Sequence, residues 1–81
     1  EKGKGLGHDA LRLVKMIGFE RLNVHRIWLE AMVHNERALH LYTSEGFVKE
    51  GVHREAVKQG ETFVSLVVMS MLASEYVPVH D

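Results

Sequence analysis

The C-terminal third of this chain carries the pattern that most limits its fold, a run dense in Val, Leu and Met from Thr62 to Leu72. The turn-forming segment Lys58–Glu61 precedes this run, and a further extended stretch, Phe47–Val57, comes before the turn. Two β-prone stretches joined by a short turn that contains glycine predict an antiparallel hairpin. The fold is therefore expected to contain a β-sheet.

Upstream of the hairpin, a helical pattern follows the N-terminal glycines. Its apolar residues are spaced i, i+4, i+7, i+8 and i+11, at Leu6, Ala10, Leu13, Val14 and Ile17. This spacing predicts an amphipathic helix, whose apolar stripe ordinarily faces the core. Gly18 is a candidate end for the helix, although Phe19 and Leu22 continue the pattern for a further turn.

A third extended stretch and a second helix lie between these two regions. The stretch from Val24 to Val33 is rich in β-branched and aromatic residues and mostly apolar near its middle, which predicts a central strand covered on both faces. Asn35 then caps a helix that ends at Glu45 and Gly46. The apolar stripe of that helix consists of Ala38, Leu39, Leu41 and Tyr42.

The predicted order is helix, strand, helix, strand, strand, a mixed α/β (α+β) class in which a sheet of three strands carries two helices. Such a sheet is incomplete, so the 81 residues are expected to form part of one domain. The chain begins with Glu1 and lacks an initiator Met, which favours a piece of a longer protein.

Composition excludes several classes of function. Ten Lys and Arg residues against 11 Asp and Glu give a formal net charge of −1, which offers no basic field for nucleic acid and no polybasic membrane anchor. No apolar run is long enough to span a bilayer. The absence of cysteine removes disulfides and thiolate nucleophiles and fits a reducing compartment. We therefore expect a cytoplasmic protein without a nucleic-acid or membrane partner.

The glycine-rich segment Lys2–Gly7 leads directly into the first predicted helix. Glycines let a backbone approach a phosphate closely, and the free amides and positive dipole end of a helix N-terminus favour an anion. A pyrophosphate would suit this segment. The alternative is a flexible terminus that only enters a helix. No Gly-Lys-Ser/Thr follows, which excludes a Walker loop, and the glycine spacing disfavours a Rossmann fingerprint.

Three polar residues are candidates for the chemistry. Asn35 and Tyr42 are seven residues apart and share one helical face, where the Tyr phenol can donate a proton at neutral pH. Their structural alternative is an N-cap and a core aromatic. Glu30 lies inside an apolar strand, where burial would raise its pKa toward that of a general base. Its alternative is a side chain that points to solvent.

Metal and nucleophile chemistry find no support in the sequence. The six histidines show no His-Glu-x-x-His pattern and no pair at i, i+4 on a helix, so we expect no metal site. No serine nucleophile elbow is present either.

Three segments of the chain carry a family resemblance: the glycine loop Lys2–Gly7, the strand segment Arg26–Glu30, and the stretch Asn35–Phe47 with its Tyr42 and closing Gly-Phe pair. Together they resemble the GNAT superfamily of acyl-CoA-dependent N-acyltransferases. The likeness spans nearly the whole chain. The Glu50-Gly51 pair and the hairpin that ends in Met69–Tyr76 most resemble the branch that acetylates ribosomal-protein N-termini, polyamines and related amines. In this family the loop usually has Arg or Gln where Lys2 stands, a departure that keeps the positive charge.

The resemblance implies a role for each candidate residue. Asn35 would contact the cofactor arm, Tyr42 would protonate the leaving thiolate, and Glu30, twelve residues before Tyr42, would stand where some members have their proposed base. The acetyl-CoA pyrophosphate would be held by the loop amides of Lys2, Gly3, Lys4, Gly5, Leu6 and Gly7.

The same resemblance implies that residues 1–81 are the C-terminal part of a single GNAT domain. The expected activity is acetyl transfer from acetyl-CoA to a primary amine such as a protein N-terminus, a polyamine or a small metabolite. The alternative is a non-catalytic half-domain that binds CoA or dimerises. Because the partner strand of Val24–Val33 would belong to the absent half, its free edge predicts self-association, as a homodimer or larger species.

Overall fold

The computed structural model describes residues 7–78, which form an α/β layer in the predicted order. Three strands make the sheet and two α-helices pack on it. The elements are α1 His8–Lys15, a π-helical segment Met16–Arg21, β1 Arg26–Met32, α2 Glu36–Ser44, β2 Val48–Gln59, β3 Thr62–Leu72 and a short 3-10 turn Ala73–Glu75.

The sheet is antiparallel with the strand order β1-β3-β2. The predicted hairpin is confirmed, since β2 pairs with β3 across a turn at Gly60 and Glu61, where Gly60 takes φ +65°. The prediction that the first strand is central was wrong for the described residues. The central strand is β3, where the five consecutive residues 67–71 are buried because a neighbouring strand lies on each side.

The predicted burial of β1 on both faces was also wrong. Its side chains alternate, with Ile27, Leu29 and Ala31 turned toward the helices and Trp28 and Glu30 exposed on the opposite face. The reason is that both helices pack on one face of the sheet. Within residues 7–78, the edge of β1 away from β3 pairs with no strand, which agrees with the predicted free edge.

The core lies between this helical face and the sheet, and both helices contribute to it. Its buried members are Leu11, Phe19, Leu41, Phe47, Val67, Met69 and Met71. For α2 the predicted apolar stripe is confirmed, because Leu41 is buried and Leu39 and Tyr42 pack against the core. Gly46 ends that helix at φ +95°, and a Cβ there would lie 2.8 Å from Met71 Cε.

The predicted stripe of α1 does not face this core. Leu11 is 0% exposed, whereas Leu13, Val14 and Ile17 are 52%, 41% and 39% exposed. Leu6 lies outside the described residues. The helix continues past Gly18 through the π-helical segment, and a Cβ on Gly18 would lie 2.7 Å from Ile27 Cδ1. The helix is therefore oriented by Leu11, Gly18 and Phe19, and its apolar stripe points away from the sheet.

Candidate functional site

The N-terminus of α1 is open to a ligand at the backbone. Gly7 is the N-cap, in extended conformation at φ −112°, and as a glycine it has no side chain that could cap the helix. A Cβ placed on it would meet no atom of the described chain within 4 Å. The first amides of a helix lack intrahelical partners, and no atom of residues 9–78 fills the space beside Gly7. The other predicted loop residues, Lys2, Gly3, Lys4, Gly5 and Leu6, lie outside the described residues.

A cluster of ions ties this helix to the end of α2. The carboxylate of Glu45, with a side chain 5% exposed, accepts from His8 Nδ1 at 2.6 Å and from Arg12 Nε at 3.1 Å. Lys15 Nζ lies 3.1 Å from Glu45 Oε1 and also donates to the Glu45 carbonyl at 2.7 Å. Burial raises the pKa of Glu45, but the hydrogen bonds from His8 and Lys15 and the nearby positive charges outweigh it and leave that pKa lowered.

Asn35 and Tyr42 sit on α2 as predicted, in different surroundings. Asn35 is exposed and caps the helix, its Oδ1 accepting from Ala38 N at 3.2 Å. Its amide Nδ2 has no acceptor among residues 7–78. Tyr42 is half-buried against the core, with its ring 6.3 Å from that of Phe47, and its hydroxyl makes no hydrogen bond within the described chain. Asn35 thus serves as an N-cap and Tyr42 packs as a core aromatic. The Asn35 amide and the Tyr42 hydroxyl each keep a hydrogen-bond donor without an acceptor among residues 7–78.

Glu30 lies on the other side of the sheet from Tyr42. It is exposed on β1, opposite Val68 of β3, so residues 7–78 do not provide the predicted burial. The same open face carries Trp28, 53% exposed, and an ion pair between Arg26 and Glu50 at 2.6 Å. The structure does not bring Glu30 and Tyr42 into contact, since they lie on opposite faces of the sheet.

A groove of about 260 Å³ runs between α1 and the C-terminal segment. Its lining includes Arg12 and Leu13 from α1 and Tyr76 and Val77 from the C-terminal segment. None of the predicted catalytic or cofactor-binding residues is part of this lining. The ring of Tyr76 packs on that of Phe19, with 5.1 Å between the ring centroids. A hydrogen bond to Glu20, with partial burial, raises the pKa of Tyr76 to about 12.

Two further properties concern the whole described region. Residues 7–78 contain no group of three or more His, Cys, Asp or Glu side chains that could hold a metal ion. None of the helices in this range is long and apolar enough to cross a membrane.

Comparison with known proteins decides the family. The family model described as "Acetyltransferase (GNAT) family" matches residues 1–47, more than half of the chain. The chain belongs to the GNAT acetyltransferase family. The match covers the glycine loop, α1, β1 and α2 up to Phe47.

Curated relatives of this GNAT chain include two spermidine N(1)-acetyltransferases. The protein from Vibrio cholerae is 33% identical over 75 residues, which make up 93% of this chain and 43% of that protein. The one from Escherichia coli K12 is 40% identical over 50 residues, 62% of this chain and 27% of that protein. The chain therefore spans less than half the length of the curated relatives it matches.

Solved structures give the same result for the GNAT fold. A mutant form of the spermidine/spermine N-acetyltransferase from Vibrio cholerae superposes with a TM-score of 0.84 at 33% identity, covering 93% of this chain and 45% of that one. A dodecameric structure of spermidine N-acetyltransferase from the same organism gives a TM-score of 0.85, also at 33% identity. The match covers 94% of this chain and 44% of that one.

Asn35 and Tyr42 were candidates from the sequence of this GNAT chain, whereas Glu45 was expected only to end α2. A signal was present. His8, Arg12 and Lys15 are spaced i, i+4 and i+7, so they form a basic stripe along one side of α1. A single acidic residue at the end of the neighbouring helix is the partner that such a stripe requires.

Proposed function

We propose that these residues form the cofactor-binding part of an acetyl-CoA-dependent N-acetyltransferase that acetylates a primary amine, and that the amine is a polyamine such as spermidine. The observation that carries this proposal is the 33% identity to a spermidine N(1)-acetyltransferase over 93% of the chain. The open N-terminus of α1 and the exposed Asn35 amide supply donors of the kind that acetyl-CoA requires.

The helical face of the sheet is the cofactor side in this account. Backbone amides of the loop Lys2–Gly7 hold the pyrophosphate, with Gly7 allowing close approach. Asn35 Nδ2 donates to the cofactor arm. Tyr42 lies seven residues further along α2, and its unengaged hydroxyl is aimed at the sulfur end.

The open face is the acceptor side. The amine nitrogen, once deprotonated, attacks the thioester carbonyl carbon, and a C–N bond forms as the C–S bond breaks. Glu30 takes the ammonium proton on the open face, while Tyr42 gives its proton to the departing sulfur on the helical face. The two reactants meet at the free edge of β1, the strand that carries Glu30.

That free edge also supports self-association. An unpaired strand edge recruits another strand, and a spermidine N-acetyltransferase similar to this chain forms a dodecamer. We therefore propose that the protein is a homo-oligomer. Its lack of cysteine supports a cytoplasmic location.

The test is acetyl transfer by the full-length protein. Purified enzyme and acetyl-CoA are mixed with spermidine, with a peptide bearing a free N-terminus, or with buffer alone, and the released CoA thiol is followed by a colorimetric reagent. Thiol release should require an amine, should be fastest with spermidine, and should give N-acetylspermidine by mass spectrometry. If CoA binds but no amine raises thiol release above buffer, the protein is a non-catalytic CoA-binding module.

A further inference from the structure

Glu45 is the most deeply buried carboxylate among residues 7–78, and all its side-chain partners come from α1. A carboxylate transferred from water into a protein interior loses hydration that only well-placed partners restore. Here those partners are His8, Arg12 and Lys15, at 2.6–3.1 Å. The arrangement is specific to one orientation of α1 about its own axis.

The position of Glu45 links two parts of the proposed site. Its backbone amide donates to the carbonyls of Leu41 and Tyr42, at 3.0 and 3.2 Å, so it is fixed to the last turn of α2. Its side chain reaches His8, the first residue of α1 and the neighbour of Gly7. One residue thus spans the distance between the helix that carries Tyr42 and the helix end that faces the cofactor phosphates.

Few apolar contacts hold the N-terminal part of α1 within the described chain. Leu11 is the one apolar side chain of α1 that is fully buried, and Phe19, which also belongs to the core, lies in the segment that follows the helix. Apolar contact is non-directional, so these two side chains restrain the rotation of the first turn less than directional bonds do. The bonds from His8, Arg12 and Lys15 to Glu45 select one angle, and that angle determines where the first-turn amides point.

From this geometry we infer that Glu45 is a positioning residue, which sets the orientation of α1 relative to α2 so that the cofactor's phosphate end and its thioester are bound in register with Tyr42. The inference rests on the proposed function. Glu45 itself contacts neither the cofactor nor the amine. The basic residues His8, Arg12 and Lys15 bind Glu45 and not the cofactor phosphates.

The test uses Glu45→Gln in the full-length protein, with Glu50→Gln as the matched control. Glu50 also pairs with an arginine and accepts from Ser70, but on the opposite face of the sheet. Calorimetric titration with CoA should show Glu45→Gln weakening the affinity by about tenfold or more, since small misplacements of a binding group are costly. The KM for acetyl-CoA should rise in parallel, the KM for the amine should stay unchanged, and Glu50→Gln should match the parent.

The direction of the change in CoA affinity distinguishes a positioning role of Glu45 from two other roles. If His8, Arg12 and Lys15 bind the phosphates directly, removing the competing carboxylate frees them, and Glu45→Gln strengthens CoA binding. If Glu45 only stabilises the fold, the variant has a smaller active fraction but an unchanged KM and dissociation constant. Either result overturns the inference.

A second variant covers the case in which Glu45→Gln fails to fold. Glu45→Asp keeps the charge and shortens the side chain by one methylene, so the bonds to α1 lengthen. It should weaken CoA binding in the same direction by a smaller factor, and unchanged or tighter binding contradicts positioning. A parent protein that neither binds CoA nor acetylates any amine refutes the proposed function itself, whereas an active parent with unaffected Glu45 variants refutes positioning alone.

Discussion

Helices α1 and α2 pack on the same face of the sheet but are held there by different means. In α2 the apolar stripe read from the sequence is the buried one, with Leu41 in the core. In α1 the apolar stripe points away, and the inward side is basic apart from Leu11, with Lys15 buried against Glu45. Periodicity therefore identifies an amphipathic helix reliably, but it does not say which surface of the protein the apolar stripe meets.

The difference extends to the tasks that the two helices perform in the proposed reaction. In the proposal the N-terminus of α1 binds the cofactor, so changes there should act on affinity for CoA. In the same proposal Tyr42 on α2 protonates the leaving thiolate, so changes there should act on turnover.

The largest effect is expected at Tyr42. Tyr42→Phe keeps the ring that packs near Phe47 and removes only the hydroxyl. In the full-length protein kcat should fall by about 10²–10⁴-fold, the usual contribution of general acid catalysis, while the KM for acetyl-CoA and the melting temperature should change little. Steady-state kinetics measures this. A kcat within about threefold of the parent, below the reach of general acid catalysis, would make Tyr42 a packing residue.

Two leucines on α1 test which of its sides is buried. In the 81-residue chain, Leu11→Ala should lower the free energy of unfolding by about 2–5 kcal/mol, because it empties a fully buried site. Leu13→Ala, on the same helix but 52% exposed, should change it by less than about 0.5 kcal/mol. Urea unfolding of the two variants provides the comparison. Equal losses would mean that the apolar stripe of α1 is covered in this chain.

The smallest effect concerns the two N-caps, since α2 has a side-chain cap and α1 has none. Asn35→Ala should cost about 1 kcal/mol of unfolding free energy, and Asn35→Gly only a few tenths, because glycine is itself an accepted N-cap. Thermal or urea unfolding distinguishes them. If the alanine variant is as stable as the glycine variant, the bond from Ala38 N contributes nothing measurable.

Local features of the fold were predictable because their causes lie within a few residues of sequence. The observed β3 has the predicted bounds, Thr62–Leu72, and α2 begins after its predicted cap at Asn35. The cap, the glycine at the end of α2 and the glycine in the hairpin turn each act on their immediate neighbours. Local chemistry is enough to place such elements.

The features that were missed depend on contacts between distant parts of the chain. No local sequence feature indicates that β3, and not β1, is the central strand among residues 7–78. Likewise, the partner of Lys15 is Glu45, thirty residues away in sequence. For the candidate site, Asn35 and Tyr42 could be proposed from the sequence because they share one helix, whereas Glu45 on α2 bonds to residues of α1.

Titration of the full-length protein with CoA in a calorimeter tests the claim that the cofactor binds at the N-terminus of α1. Gly7→Val is compared with Gly51→Val, since a Cβ at either glycine meets nothing within 4 Å in the described chain and neither glycine has a positive φ. A Cβ at position 7 therefore meets no atom of the described chain and is expected to obstruct a ligand there. Gly7→Val should weaken CoA binding by about tenfold or more, equivalent to about 1.4 kcal/mol, with an unchanged circular dichroism spectrum, while Gly51→Val binds like the parent. Equal affinity in all three proteins would contradict the claim.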